Sequence, residues 1–398
     1  MEQPFHQAVF YLKLVLSEKK WSKEELLIAM NDVSLDGLIQ YIVNFFKSFH
    51  IEALIHGNID QQTSGSLIKS LVEEIKQGRG GCEPINKKES LQFKEYQLPN
   101  VSTTIYRRTQ KTHINSTLLT FLQVGPRSSR DNAILSLLSQ IFQEPSFDIL
   151  RTKEQLGYVV FCSCRRECGS HGLRLIVQGL KDPKFVIWRV ENFIHHMKDA
   201  MSAKVYDATL INLNYQLQPK AHGLELKVEG FNEKLPLFLK MLVTSLGVME
   251  KMSDEELRSH MESVATKRLE KPKKLKLLTD KYWKEVTDRS YQFNRDEVEV
   301  AIIRKLSKKD LLDFHSQWIS HNAVGRKVLH VLVRSELCDG PPECDIDAEM
   351  KKFCATTGTA VREMREQNCV HNLNEFKARL ALYELDKSDI EAQVAALK

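Results

Sequence analysis

The nine residues His171-Gly172-Leu173-Arg174-Leu175-Ile176-Val177-Gln178-Gly179 recur as His222-Gly223-Leu224-Glu225-Leu226-Lys227-Val228-Glu229-Gly230. Such repetition constrains the fold more than any single residue does, because each copy is one supersecondary piece and both must find equivalent surroundings. In each copy Leu-x-Leu-x-Val alternates between bounding glycines, the period of a strand with one face buried. A looser echo joins the two ends of the chain: Glu2-Gln3-Pro4 and Trp21 against Glu270-Lys271-Pro272 and Trp283, then Val33-Ser34-x-Asp36-x-Leu38 against Leu306-Ser307-x-x-Asp310-Leu311. Together they predict two related α+β units, with an extra strand-and-helix piece inside the second at about 205–250.

Helical period governs the start of the chain. Ser22 is placed to cap a helix carrying Leu26, Leu27 and Met30, and Ser34 to cap one carrying Leu38, Ile39, Ile42, Val43 and Phe46. Residues 51–57 read as a short strand closed by Gly57. Gly78, Gly80, Gly81 and Pro84 among charges mark a linker at 77–92. Beyond it 93–98, 102–107 and 117–124 read as strands. Residues 131–156 read as a helix that Gly157 ends in the left-handed conformation, and 158–161 and 173–177 as further strands. The expected organisation is a truncated first unit at 1–76, the linker, a second unit at 93–340 interrupted at about 205–250, and a C-terminal extension with a closing helix at 341–398.

Composition enters mainly by exclusion. Basic residues exceed acidic ones by 57 to 52, a balance of +5 spread along the chain that gives no reason to expect nucleic acid as a partner. No apolar run reaches the ~18 residues that span a bilayer. Eight cysteines are too few for a disulfide scaffold, which points to reduced thiols and the cytosol. A catalytic zinc helix needs His-Glu-x-x-His or its inverse His-x-x-Glu-His, so that two imidazoles meet one metal beside a carboxylate base. None of the 13 histidines has a glutamate neighbour, so both motifs are absent. Cys162-x-Cys164-x3-Cys168-x2-His171 matches no common zinc spacing and reads as packed thiols. His195 and His196 diverge by about 100° on a helix and suit packing or surface roles. Gly-x-Ser-x-Gly and P-loop patterns are missing. The run from Lys267 to Lys276 carries six basic residues against one acid, a place for a polyphosphate, a nucleotide or an acidic peptide end, or else a solvated junction in which Pro272 opens the next helix.

Glu144-Pro145-Ser146-Phe147-Asp148-Ile149-Leu150-Arg151-Thr152-Lys153-Glu154-Gln155-Leu156-Gly157-Tyr158 resembles a signature of the C-terminal half of M16 (inverzincin) metallopeptidases of the insulin-degrading-enzyme type. The resemblance extends over Phe49-His50-Ile51-Glu52-Ala53-Leu54-Ile55-His56-Gly57-Asn58-Ile59, over Arg268-Leu269-Glu270-Lys271-Pro272-Lys273-Lys274-Leu275, and over Tyr282-Trp283 and Phe293-Asn294-Arg295-Asp296. It implies two related domains, each an antiparallel sheet with helices packed on one face. It maps substrate-binding roles onto Arg151 and Tyr158 and a polyanion-binding patch onto Lys273 and Lys274. It also implies a peptidase half that is catalytically incomplete, with no metal ligands of its own. Zn2+ and the glutamate base are then expected from an N-terminal half or a homologous full-length subunit, with peptides as substrates. Two other readings stand beside it: a stand-alone peptide-binding or regulatory module, and a rearranged fragment without function. The rearranged order is seen at Ala208 to Met249, which resembles a third-domain segment that in the family precedes the stretch matched by Glu2 to Tyr11, yet here follows it.

Overall fold

A computed structural model describes residues 3–78, 83–85, 94–100, 102–126, 128–167, 169–201, 215–220, 223–228, 252–320, 323–337 and 369–383. Most of the expected linker, of the 205–250 piece and of the 341–398 tail lies outside these residues, as do Cys168, His222 and the side chains of His195 and His196. Five strands form the central sheet: β1 (Ser102–Gln110), β2 (Ser116–Pro126), β3 (Val159–Glu167), β4 (Ser170–Gly179) and β7 (Lys327–Ser335), in the order β1-β7-β2-β4-β3. Two more, β5 (Tyr215–Lys220) and β6 (Gly223–Val228), make a separate antiparallel hairpin. Both copies of the nine-residue repeat are therefore second strands of hairpins, since β4 pairs antiparallel with β3 as β6 does with β5.

The α+β class agrees with the sequence reading. Two details of the sheet differ from it. Edge strand β1 runs parallel to β7, Ser102 opposite Lys327, while the other pairings are antiparallel. Helices also cover both faces, and the cause lies in β2, β4 and β7, whose side chains are apolar in both phases of the alternation. On one face Leu118, Leu122, Val124, Leu173, Leu175, Val177, Val328 and Leu332 pack beneath the helices α5 (Ser129–Ser146), α6 (Pro183–Met201) and α7 (Asp254–Leu269). On the other, Leu119, Phe121, Ile176, Leu329, Val331 and Val333 meet Ala8, Leu12, Val15 and Leu16 of α1 (Pro4–Leu16). A helix expected in the first unit thus roofs the sheet of the second.

Between α1 and the sheet lies a buried ion cluster. Glu95, fully buried, accepts two hydrogen bonds from the Arg165 guanidinium, at 2.5 and 3.0 Å, and one from Ser170 Oγ. Arg165 also reaches Glu167 at 3.1 Å, and Glu167 pairs with Lys13 of α1 at 2.9 Å. A second cluster joins the helical face. Arg166 of β3 meets Glu299 at 3.2 Å, Arg268 meets Glu299 at 2.5 Å and Asp296 at 3.2 Å, and Arg295 holds Glu285 at 2.7 Å. These contacts tie β3 to α7, to α8 (Leu275–Thr287) and to α9 (Arg295–Ile303).

Ser22 and Ser34 cap α2 (Lys23–Met30) and α3 (Leu35–Phe45) as the sequence predicts, Ser22 with Glu25 in a capping box. Neither helix buries a residue, and Leu35, Ile39, Tyr41 and Val43 stand exposed. The stretch 51–57, expected as a strand, has no regular secondary structure and is docked by side chains. Tyr291 donates to Glu52 at 2.7 Å, and His56 Nδ1 shares a hydrogen bond with the Thr279 hydroxyl at 2.8 Å. Only Ser48–Phe49 pairs, parallel to Glu83–Pro84. Pro272 does not open α8, which begins at Leu275 after Lys274. Among the described residues no single helix is long and apolar enough to cross a membrane.

Candidate functional site

The helix expected over 131–156 is regular only to Ser146. Pro145 cannot donate to the preceding turn, and the chain opens into a wide π-type stretch at Phe147–Lys153. The widening persists through long-reach bonds: Glu154 N donates to Ile149 O and Leu156 N to Leu150 O, both at 2.9 Å. Glu154 anchors the turn to α6 through a paired hydrogen bond with Arg189, 2.7 Å on the Nε side, with both residues largely buried. The left-handed residue is Gln155, at φ 52°, and not Gly157 as its position after the helix suggested. Gly157 is needed for room. A Cβ there would stand 2.0 Å from Gln178 O, and one on Gly179 would stand 2.2 Å from Leu156 O. The chain leaving the turn therefore presses backbone to backbone against the end of β4.

This geometry presents Arg151 and Tyr158 at the surface, each with its own neighbours. Arg151 is exposed, its guanidinium 4.5 Å from the centroid of Phe147 one turn earlier, a cation–π contact that steadies a long side chain. Tyr158 is half-exposed and immediately precedes β3, an edge strand. Its phenol oxygen accepts from the Gln178 side-chain amide and from Asn115 Nδ2 at 3.4 Å, and its hydroxyl donates to Gln3 Oε1 at 3.4 Å. Gln178, Asn115 and Gln3 escaped the sequence reading. Gln178 lay in plain view inside the repeat, where a polar residue on a strand passes for an outward-facing position; it is fully buried.

The described side chains do not fit a catalytic zinc. Among the described residues no three His, Cys, Asp or Glu side chains converge on one point. Cys162 and Cys164 point into the helical layer, where burial pushes both thiols up, Cys164 to about 11, away from the thiolate a metal requires. His171 lies one register step further on, opposite Arg166, with Nδ1 2.7 Å from Asn132 Oδ1. Lys273 and Lys274 are exposed at the entrance to α8, whose first turn carries no acidic residue. Arg268, from the same basic run, is engaged by Glu299 and Asp296.

The architecture is shared with crystalline pitrilysin, TM-score 0.62 at 18% identity over 96% of this chain and 33% of that one, which sets the fold. Two sequence models of one peptidase family match the chain: the peptidase M16 inactive domain over residues 32–213, and the middle or third domain of peptidase M16 over residues 189–282. The chain belongs to the M16 peptidase family. It is 31% identical to insulin-degrading enzyme of Mus musculus over 396 residues, all of this chain and 34% of that protein. It is also 31% identical to insulin-degrading enzyme of Drosophila melanogaster over 338 residues, and 25% identical over 335 residues to the A-factor-processing enzyme of Saccharomyces cerevisiae. The chain spans about a third of the length of the curated relatives it matches.

Proposed function

We propose that this chain supplies the peptide-binding face of an M16 zinc metallopeptidase and cleaves peptides only in company with a zinc-bearing N-terminal half or a homologous full-length subunit. The observation that carries this reading is Tyr158, half-exposed and held by the buried donors Gln178 and Asn115, immediately before an edge strand. An extended peptide adding along β3 would lay backbone carbonyls beside that phenol, with Arg151, seven residues earlier in the chain, as a second donor. The apolar residues left exposed on α2 and α3 favour association with a larger assembly over a module that works alone.

The test is reconstitution. The purified chain alone should leave a fluorogenic peptide intact, and adding a zinc-bearing M16 N-terminal half should give turnover that a chelator abolishes. Tyr158→Phe should then lower kcat/KM about tenfold, the worth of one well-placed hydrogen bond. Chelator-sensitive cleavage by the chain alone, or full activity in Tyr158→Phe, would sink the proposal. Peptide affinity that persists while no partner half ever restores turnover would mark a stand-alone binding or regulatory module instead.

Lys273 and Lys274 support a narrower proposal, a polyanion seat at the N-terminus of α8, where a helix start that the N-cap side chain does not cap and two ammonium groups coincide. Replacing both lysines by alanine should weaken inorganic polyphosphate binding about tenfold and flatten its salt dependence. Binding that is unchanged in the double variant rules out this seat.

A further inference from the structure

We propose that Gln178 and Asn115 are positioning residues that fix the Tyr158 hydroxyl as an outward hydrogen-bond donor, and that the side-chain amide of Gln3 occupies the place of a peptide carbonyl in front of it. The inference rests on the substrate-binding reading of Tyr158 and deepens it.

The direction of each hydrogen bond follows from groups that have no choice. A backbone N–H can only donate, and that of Phe5 stands 2.9 Å from one end of the Gln178 side chain, so that end is the carbonyl oxygen. The Thr117 hydroxyl donates to the same oxygen at 3.0 Å. The other end is then the NH2 group, which only donates, and it meets the Tyr158 oxygen and, at 3.2 Å, Gln3 Oε1. Asn115 is oriented by the same logic. Its backbone N–H donates to His113 Nδ1 at 3.0 Å, which makes that nitrogen the bare acceptor. The side-chain atom of Asn115 lying 3.2 Å from Nδ1 must therefore be the NH2 nitrogen, and this is the atom that reaches the Tyr158 oxygen.

Two N–H donors thus take the acceptor side of the phenol. Its own proton is left to point away from both, toward an acceptor 3.4 Å off, Gln3 Oε1. Gln178 and Asn115 are both buried, and a buried amide costs stability unless each of its ends is used. The NH2 end of each amide reaches the one hydroxyl, while the Gln178 oxygen is satisfied by the Phe5 N–H and the Thr117 hydroxyl. Gln3 Oε1 in turn receives two donors, the Tyr158 O–H and the Gln178 N–H. Such a pair suits the oxygen of a neutral amide, which is the chemistry of a peptide backbone carbonyl. A peptide entering here must displace Gln3.

The experiment measures binding of a dye-labelled unstructured peptide to the full chain by fluorescence anisotropy. Gln3→Ala should tighten binding about threefold to tenfold, since displacing one hydrogen-bonded side chain is no longer needed. Gln178→Glu keeps the shape but turns the NH2 end into an acceptor that captures the phenol proton, and should weaken binding about tenfold. Asn115→Asp makes the same reversal from the other side and serves if Gln178→Glu fails to fold. In a Tyr158→Phe background neither reversal should change affinity further, which separates positioning from general damage to the fold. If the reversals weaken binding equally in both backgrounds, or leave it unchanged while Tyr158→Phe weakens it, the positioning inference is wrong and the binding role of Tyr158 stands. If Gln3→Ala leaves affinity as it was, the self-occupancy is wrong. If Tyr158→Phe itself has no effect, the reading beneath the inference fails and takes it down.

Discussion

Replacing Glu95 by alanine should cost the chain about 3–5 kcal/mol of folding stability, the range for removing one partner of a buried ion pair. Glu95 is fully out of solvent, and it accepts the Arg165 guanidinium on two oxygens and the Ser170 hydroxyl on one of them. Without it a buried guanidinium faces the ring of Phe121, 5.3 Å from the centroid, with Glu167 as a remaining counter-charge. Glu167 absorbs part of the loss, because it is partly exposed and already shared with Lys13. The backbone at Glu95 also bridges to Ser17, at the end of α1, and its carbonyl accepts from Tyr383 N at 2.9 Å. The damage should therefore concentrate where α1 meets the sheet, seen as early hydrogen exchange in residues 4–16. Urea unfolding followed by circular dichroism would read the loss as a lower midpoint. The matched control is Glu262→Ala, whose partner Arg304 is more than half exposed, and which should move stability by no more than about 0.5 kcal/mol. Equal midpoints for the two variants would contradict the account of the cluster.

The difference between those two glutamates was invisible in the sequence, and it illustrates where sequence reading stops. Alternation located four of the five sheet strands, because Leu118, Leu122 and Val124 on one phase and Leu119 and Phe121 on the other leave little but a strand buried on both sides. It did not reveal that β7, from residues 327–335, slots between β1 and β2, since that insertion joins segments distant in the chain. The stripe Ala8, Leu12, Val15, Leu16 marks a helix with one apolar face but does not say which sheet that face covers. The chain at 51–57 passed for a strand because its alternation is real; among the described residues it meets side chains of Tyr291 and Thr279 and no second strand. At the proposed site, the choice of Arg151 and Tyr158 rests on the resemblance of a contiguous run. The groups hydrogen-bonded to the Tyr158 hydroxyl lie 20, 43 and 155 residues away along the chain, beyond the reach of any local pattern.

Gly157→Ala should damage fold and site together. The added Cβ would stand 2.0 Å from Gln178 O, 2.6 Å from its carbonyl carbon and 3.0 Å from Gly179 N. All three are backbone atoms of a strand paired on both sides, so no flexible side chain can swing aside. The strand end or the turn must move, and the turn is the softer of the two, ending in a left-handed Gln155. We expect a loss of about 3 kcal/mol, the upper part of the range for forcing a carbon into filled space. The displacement falls on the residue that precedes Tyr158 and on the one strand position, Gln178, that holds its phenol. Peptide affinity should therefore drop at least as far as in Tyr158→Phe, even at temperatures where the variant is fully folded. Gly65→Ala is the contrast. No atom lies within 4 Å of a Cβ at that position in α4 (Gln61–Gly78), and alanine there should stabilise the helix by roughly 0.5–1 kcal/mol with peptide affinity unchanged. If Gly157→Ala instead keeps wild-type affinity once folded, the close approach of the turn to β4 is a packing detail with no bearing on how Tyr158 is presented.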